Sequence, residues 1–198
     1  MLELPNVTLF YILTEKDLHA AIDCEEHINF GCVVNVAELP TYEAYNRFMV
    51  KALHECFDTS HVLTVQWDGF VVDPSKWTDE FLQYDYIGAP IWNGENGCGG
   101  FSLRSKRFCE ASATLDFDKR DYDLLRRRHI RPKDVPNEDF FLCIEKRAEL
   151  ESMGMRFAPI ELADRFAWSK ESGRIWPGSF GFHSPVSMEY LQSIGVIT

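Results

Sequence analysis

The stretch HVLTVQWDGFVV (residues 61–72) contains two apolar runs separated by Gln66, Trp67, Asp68 and Gly69. The first run is rich in β-branched residues and predicts a buried strand. The Asp-Gly pair that follows is typical of a hairpin turn, but the end of a buried strand is also a place where a carboxylate can bind a metal ion. On local grounds both interpretations of Asp68 stay open.

The chain before this stretch alternates between strands and helices. Four elements are predicted there: strands over residues 7–13 and 32–36, and helices over residues 14–28 and 41–57. The last of these helices has Thr41 as its predicted N-cap and an apolar stripe on one face. Such alternation predicts an α/β fold with a mostly parallel central sheet, in which ligands collect at the carboxyl ends of strands. Asp68 follows an end of this kind.

The chain after this stretch carries shorter elements. The sequence predicts a short helix over residues 73–83, strands over 84–90 and 101–105, an irregular charged excursion over 116–136, and a helix over 137–154. That last helix has Asn137 as its predicted N-cap and Gly154 as its terminating residue. Because we find no repeat, low-complexity segment or linker, residues 1–198 are predicted to form a single domain.

The composition favours one soluble globular unit. The chain has 198 residues, of which 45% are hydrophobic, and this is enough for a sizeable core. The formal net charge of −11 argues against duplex binding over the whole surface, which needs Lys and Arg at the phosphates, although a local basic patch stays open. The six cysteines form no CxxC pair, so we expect reduced thiols. The chain has neither a signal-like start nor an apolar run of about 18 residues, so we expect a cytoplasmic protein with no transmembrane segment.

Four acidic or imidazole side chains are candidates for chemistry. Mn²⁺ and Mg²⁺ take few protein carboxylates and complete their shells with water and substrate phosphates, so Asp68 alone suits such an ion. His183, in SFGFHS (179–184), is a candidate second ligand, although a histidine there is also typical of an ordinary turn. Glu138 and Asp139 begin a predicted helix, where the helix dipole stabilises them, but a carboxylate there can also act as a general base. The sequence decides neither alternative.

The loop GCGGF (97–101) supplies backbone freedom before a predicted strand. A loop of this kind is as often a tight turn as a place where a ligand approaches the backbone. Ser102 and Arg104 follow this loop. The sequence does not decide between a ligand contact and an ordinary strand position for these two residues.

Four short motifs along the chain, taken in order, resemble the motifs of glycosyltransferases with the GT-A fold. QWDG is similar to a reduced DxD motif, GCGGF to the glycine loop, NED to the xED motif and FGFH to the carboxy-terminal histidine motif. The likeness is closest to a small family of bacterial and viral glycosyltransferase-like proteins long known as a domain of unknown function. Blocks similar to that family are AYNRFM, HVLTVQWDGFV, YDYIGAP, GGFSLRS, NEDFF, RFAPIELADRFA and FGFH, and the resemblance runs from about Pro5 to His183.

The resemblance implies a single-domain, GT-A-like (Rossmann-like) three-layer sandwich with a mostly parallel central sheet and a small antiparallel element. It implies a metal-dependent glycosyltransferase that moves a hexosyl or pentosyl group from a nucleotide sugar, with a UDP-sugar as first candidate, to a hydroxyl. Asp139 would be the base with Glu138 beside it, and an acceptor-side base predicts inversion at the anomeric carbon. Asp68 and His183 would hold Mn²⁺ or Mg²⁺. The implied donor contacts are Thr14, Gln66, Trp67, Gly99, Gly100 and Phe101.

Several acceptors and rival functions remain open. The resemblance implies a glycan or surface polysaccharide precursor as acceptor. A hydroxylated base of viral DNA, modified by a virus-encoded enzyme in a host cytoplasm, is an alternative, because RRRHIRPK (126–133) is the only basic cluster and includes Arg126, Arg127 and Arg128. The same cluster is also typical of a solvated loop. A non-catalytic nucleotide-sugar or glycan-binding module is favoured by the single carboxylate of QWDG, whereas Asp139 and His183 favour an enzyme; a nucleotidyltransferase is a further alternative.

Overall fold

The structure, a computed structural model, describes residues 7–11, 39, 41–91, 95–128 and 137–197. Its strands are β1 (Val7–Tyr11), β2 (His61–Val65), β3 (Gly69–Val71), β4 (Tyr86–Gly88), β5 (Phe101–Ser105), β6 (Ala167–Trp168) and β7 (Gly181–His183). Its α-helices are α1 (Tyr42–Lys51), α2 (Lys106–Thr114), α3 (Tyr122–Arg127), α4 (Glu138–Phe140), α5 (Arg147–Ser152), α6 (Ile160–Phe166) and α7 (Pro185–Ser193). Shorter helical turns are the π-helical turn Phe141–Glu145 and the 3-10 turns Leu53–Cys56, Pro74–Lys76, Asp79–Gln83 and Lys170–Ser172. This mixture confirms the predicted α/β class.

Four strands form the central sheet in the order β1–β2–β5–β4. β1 and β2 are parallel, whereas β5 pairs antiparallel with both β2 and β4. Three of the four described strands therefore run in one direction, with β5 reversed between two of them. The described strands do not show a mostly parallel sheet: one of their three pairings is parallel, and the chain between β4 and β5 folds back through a Pro90–Asn96 bridge.

Three strands form a second, small sheet in the order β3–β7–β6. β3 pairs antiparallel with β7, and β6 pairs parallel with β7, so this predicted antiparallel element is a mixed one. β2 and β3 belong to different sheets. The Asp-Gly pair between them therefore does not close a hairpin; it links the two sheets.

Aromatic side chains pack between the two sheets. Phe101 of β5 contacts Phe166 and Phe180, with ring centroids 5.4 and 6.1 Å apart, and all three side chains are fully buried. Such ring pairs contribute about 0.5–1.5 kcal/mol beyond the burial of their area. Gly181 is required beside them, because a Cβ there would lie 2.5 Å from the Phe101 ring. This packing anchors β7, the strand that ends in His183.

Helix α1 begins at its predicted N-cap. The Thr41 hydroxyl accepts a hydrogen bond from the N–H of Ala44 at 3.1 Å, which satisfies one free donor of the first turn. Met49 and Val50 bury the apolar face of the helix. Tyr45 and Asn46, on the same helix, form hydrogen bonds with residues of the candidate site described below.

The predicted helix over residues 137–154 consists of α4, the π-helical turn and α5 in succession. Asn137 occupies the N-cap position, but its side chain does not cap the helix, because it accepts a hydrogen bond from the Tyr42 hydroxyl at 3.1 Å. The side-chain oxygen of Asn46 instead accepts the N–H of Glu138 at 2.7 Å. Gly154, with φ of 84°, follows the end of α5 as predicted.

Other predicted elements are shifted or missing. The pattern does not predict α2, α3 and α6, and α3 lies in the segment expected to be irregular. The side chain of Asp121 nevertheless caps α3 by accepting the N–H of Leu124 at 2.8 Å. The helix predicted over residues 73–83 is two 3-10 turns, because Asp73 and Thr78 each cap a separate turn.

Two further expectations concern cysteines and membranes. Cys56, Cys98, Cys109 and Cys143 are free thiols, as predicted for these four. Among the described residues, no helix has the length and apolar character needed to cross a membrane. The elements predicted over residues 14–28 and 32–36 lie outside the described residues.

Candidate functional site

Asp68 lies in the turn that joins the two sheets. The turn is closed by a hydrogen bond from the N–H of Gly69 to the carbonyl of Gln66 at 3.1 Å. The carbonyl of Asp68 accepts the N–H of Ser184 at 2.9 Å, and the register of β3 and β7 pairs Gly69 with His183. The strand pairing thus brings two motifs that are far apart in the sequence, QWDG and FGFH, side by side.

The side chains of Asp68 and His183 face each other in a buried space. Asp68 is 7% exposed, and its Oδ1 lies 3.3 Å from Nε2 of His183. The geometry is not that of a hydrogen bond, and Oδ1 has no hydrogen-bond partner among the described residues. Burial acts to raise the pKa of Asp68, but the facing His183 outweighs it and holds the pKa below its ordinary value. Oδ1 thus has an ion-pair contact with His183 but no hydrogen-bond donor, and a cation can bind this oxygen once Nε2 loses its proton.

His183 has a partner at each ring nitrogen. Its Nδ1 lies 3.0 Å from Sγ of Cys98, and its Nε2 lies 3.3 Å from Oε1 of Gln66. Gln66 is held in turn, because its Nε2 donates to the Tyr45 hydroxyl at 2.8 Å. Burial alone would lower the pKa of His183, but the Cys98 sulfur and the Asp68 carboxylate outweigh burial and raise it well above its usual range. A metal ion bound at Nε2 must therefore displace a proton.

The glycine loop approaches both the imidazole and the acidic helix start. A Cβ at Gly100 would overlap Nε2 of His183 and lie 2.6 Å from Oε1 of Gln66. A Cβ at Gly99 would lie 2.5 Å from Oε1 of Glu138. Because real Cβ atoms do not come so close to other heavy atoms, a side chain at Gly100 would displace the His183 imidazole, and one at Gly99 would displace the Glu138 carboxylate. The loop is therefore a place where protein side chains approach the backbone closely, and the approach of a ligand there stays a prediction.

Asp139 contacts the other side of the same loop. Its Oδ2 accepts the N–H of Gly99 at 3.2 Å, and its Oδ1 accepts the N–H of Phe140 at 2.8 Å. Burial, and next the negative charge of Glu138, raise the pKa of Asp139 to about 7. A carboxyl with this pKa can accept a proton near neutral pH, as a general base must.

Glu138, the chain neighbour of Asp139, is held in a buried ion pair. Its Oε1 accepts a hydrogen bond from Nη2 of Arg104 at 2.7 Å, and the two side chains are 4% and 1% exposed. Arg104 is therefore not an ordinary strand position. Of the two neighbouring carboxylates, Asp139 is the one that forms no ion pair with a cation of the described chain.

The other predicted donor contacts differ in their exposure. Trp67 is 65% exposed, and its ring is available to a ligand beside Asp68. The side chain of Phe101 is fully buried, so it supports the glycine loop from within the core and only its backbone can meet a ligand. Thr14 lies outside the described residues.

Asp68 and His183 are the residues that can hold a divalent cation here. Among the described residues, no group of three or more His, Cys, Asp or Glu side chains gathers at one point. Oδ1 of Asp68, which accepts no hydrogen bond from the described residues, is a hard oxygen ligand, and Mg²⁺ commonly takes only one or two protein carboxylates together with substrate phosphates. The pair therefore fits a cation shared with a diphosphate, and does not fit a closed cage of protein ligands.

Comparison with known proteins gives the chain a family. The family model DUF5672, described as a protein of unknown function, matches residues 31–183. The chain belongs to the DUF5672 family. No curated protein and no solved structure matches it. The QWDG, GCGGF, NED and FGFH motifs of this DUF5672 protein all lie in the matched region, whereas Thr14 precedes it.

Three residues of this DUF5672 site, Tyr45, Asn46 and Arg104, were not predicted from the sequence. Tyr45 is hidden in the apolar stripe of α1, where a tyrosine is indistinguishable from a core residue. Asn46 lies between Tyr45 and Arg47, and Arg104 lies between Leu103 and Ser105, so the local sequence does not show that both polar side chains are buried. A buried polar side chain needs a partner, and that need points to a site.

Proposed function

We propose that this DUF5672 protein is a metal-dependent, inverting glycosyltransferase. It moves a sugar from a nucleotide-sugar donor, with a UDP-sugar as first candidate, to the hydroxyl of a glycan or polysaccharide precursor. The fold we propose is GT-A-like. Its support is a sheet in which β1, β2 and β4 run in one direction with β5 reversed, beside a small sheet that carries His183.

The convergence of two kinds of group on one glycine loop carries this proposal. Cys98 contacts the imidazole of His183, and the N–H of the next residue, Gly99, binds Asp139. A cation-binding pair and a proton-accepting carboxylate thus flank two glycines that have no side chains. Glycosyl transfer needs this combination, because a diphosphate must leave on one side of the sugar while a hydroxyl loses its proton on the other.

On the donor side, Asp68 and His183 would hold Mn²⁺ or Mg²⁺. When bound, the cation supplies Lewis-acid stabilisation of the leaving diphosphate, worth several kcal/mol by typical values. Cys98 orients the imidazole through its contact with Nδ1, which leaves Nε2 facing Asp68. The exposed ring of Trp67 offers an apolar face to the base or the sugar of the donor.

On the acceptor side, Asp139 takes the proton of the acceptor hydroxyl while the oxygen attacks the anomeric carbon. The new carbon–oxygen bond forms as the bond to the diphosphate breaks, which inverts the configuration. A positioned base of this kind accelerates a reaction by about a hundred- to ten-thousand-fold. The hydrogen bond from Gly99 holds the carboxylate in place for this step.

A donor screen tests the proposal. Purified protein is heated with a panel of UDP-, GDP- and TDP-sugars, with and without Mn²⁺, and its melting temperature is measured. We expect at least one donor to raise the melting temperature only when Mn²⁺ is present, and Asp68→Asn to abolish that rise. Asp58→Asn, at an exposed carboxylate, is the matched control and should behave like the wild type. No shift with any donor would count against the proposal.

The rival functions receive less support. Arg126 is paired with Asp123 at 3.4 Å and Arg128 with Glu95 at 2.9 Å, so two of the three arginines of the basic cluster already have carboxylate partners. A DNA acceptor would have to compete with these pairs. The raised pKa of Asp139, about 7, favours an enzyme over a non-catalytic binding module.

A further inference from the structure

Arg104 is a fully buried cation at the centre of the candidate site. It lies in β5, is 1% exposed, and forms an ion pair with Glu138, which is 3% exposed. Removal of a guanidinium and a carboxylate from water costs several kcal/mol for each ion, and their mutual attraction often fails to recover that cost. Such a pair therefore calls for an explanation other than stability.

The hydrogen bonds of the pair are incomplete. Nη1 of Arg104 and Oε2 of Glu138 have no hydrogen-bond partner among the described residues. Apolar side chains of similar volume would avoid both this loss and the cost of burying charge. The pair is thus a poor choice for stability alone.

The bonds that Arg104 does make converge on Gly99. Its Nη2 lies 3.4 Å from the Gly99 carbonyl, and its Nε donates to the Ser102 hydroxyl at 3.0 Å. That hydroxyl donates to the same Gly99 carbonyl at 3.0 Å. Arg104 therefore fixes the Gly99 carbonyl both directly and through Ser102, while the N–H of Gly99 holds Asp139.

Glu138 is fixed at two points as well. Its carboxylate accepts from Arg104, and its backbone N–H donates to the side-chain oxygen of Asn46 at 2.7 Å. With residue 138 held by side chain and backbone, the direction of the next residue, Asp139, is determined. The pair is thus connected to Asp139 in two ways, by the hydrogen bonds of Gly99 and by the peptide bond between Glu138 and Asp139.

We propose that Arg104 and Glu138 are positioning residues, which together hold the carboxylate of Asp139 against the glycine loop. This inference rests on the proposed function, in which Asp139 accepts the proton. It assigns Glu138 no proton transfer of its own, because its carboxylate is committed to the guanidinium. Arg↔Lys exchange should not preserve the arrangement, since only a planar fork reaches Glu138, Ser102 and Gly99 together.

The charges of Arg104 and Glu138 also affect the pKa of Asp139. Glu138 acts to raise the pKa of Asp139, and Arg104 acts to lower it. Among the described residues, the other titratable groups that face Asp139 are Tyr45 of α1, Tyr86 of β4 and Cys143 of the π-helical turn, whose pKa values burial raises. These three stay neutral near pH 7. Replacement of Glu138 by Gln should therefore lower the pKa of Asp139, and this change can be measured.

The experiment compares Glu138→Gln, Arg104→Lys and the double variant Arg104→Met with Glu138→Leu. Two quantities are measured: the Asp139 carboxyl titration by carbon-13 NMR, assigned with Asp139→Asn, and kcat and KM against pH. In Glu138→Gln we expect the midpoint of the Asp139 titration to fall by about one pH unit or more. We expect kcat to fall at least tenfold in all three variants, with the KM for the donor little changed.

The double variant separates positioning from folding. Because it removes both charges of the Arg104–Glu138 pair, we expect its melting temperature to lie closer to that of the wild type than those of the single variants, while its kcat stays low. If the kcat and the Asp139 titration midpoint of the double variant also equal those of the wild type, the pair is merely structural and the inference is overturned. The inference is also overturned if Glu138→Gln does not change the midpoint of the Asp139 titration. If the wild type transfers no sugar, the proposed function fails, but the NMR titration still tests the pair.

Discussion

Asp139 should make the protein less stable as the pH rises. Its carboxyl pKa moves from the ordinary value of 3.8 to about 7 in the folded protein. A raised pKa means that the folded state holds the proton more tightly than the unfolded chain, so the unfolding free energy falls as the pH rises between these values. At 1.36 kcal/mol for each pH unit, the loss between pH 4 and pH 8 is about 4 kcal/mol.

Asp139→Asn should remove this loss. An amide of the same shape has no proton to release, so its contribution does not change over this range. One of the two N–H groups that face the carboxylate, from Gly99 or Phe140, would then meet an NH₂ group, which costs about 1 kcal/mol at every pH. We therefore expect the variant to be less stable than the wild type by about 1 kcal/mol at pH 4 and more stable by about 3 kcal/mol at pH 8.

Urea unfolding at pH values from 4 to 8, followed by tryptophan fluorescence, measures this difference. Asp58→Asn, at an exposed carboxylate, is the control and should follow the wild type at each pH. The reasoning is refuted if the difference in unfolding free energy between the wild type and Asp139→Asn is the same at pH 4 and pH 8. Such a result would mean that the Asp139 carboxylate is well solvated and is not a base with a pKa near 7.

Three further predictions concern the loop, the exposed ring and the basic cluster. Gly100→Ala should displace His183 and weaken Mn²⁺ binding at least about tenfold, as measured by electron paramagnetic resonance. Gly97→Ala, whose new methyl group would lie 3.2 Å from its neighbours, is the control and should bind Mn²⁺ like the wild type. Equal Mn²⁺ affinities of the two variants would contradict the close approach of His183 to Gly100. Trp67→Ala should change the unfolding free energy by less than about 0.5 kcal/mol, because the ring is exposed, yet weaken donor binding by calorimetry; unchanged binding would remove Trp67 from the site. Replacement of Arg126, Arg127 and Arg128 by Gln should leave glycan transfer unchanged, and loss of a salt-dependent DNA affinity would instead favour a DNA acceptor.

Local signals account for the elements that the sequence predicts well. The strand at His61–Val65 follows from a run of apolar, largely β-branched residues, and the start of α1 follows from the capping geometry of Thr41. The pairing of strands is less accessible. The sequence contains no sign that β5 runs opposite to β2, because that depends on how the chain between β4 and β5 folds back.

The same distinction holds for the candidate site. Asp68, His183 and Asp139 are residue types that suit the chemistry, and their motifs lie in a recognisable order. Arg104 and Glu138 lie in separate motifs, and each has an ordinary local explanation: a strand position for Arg104 and the first turn of a helix for Glu138. Their ion pair is identified only in the folded structure, where β5 and α4 bring the two side chains together, because a buried charge needs a partner of opposite charge.

Sugar transfer itself tests the central claim most directly. The wild type and Asp68→Asn are incubated with Mn²⁺, a donor that binds in the screen and a hydroxyl-bearing glycan, and the released nucleoside diphosphate and the anomeric configuration of the product are measured by NMR. We predict release that depends on Mn²⁺, an inverted product, and loss of both in Asp68→Asn. Release that is absent in the wild type, or that is unchanged by Asp68→Asn, would contradict the account, and a retained configuration would remove Asp139 from the role of acceptor base.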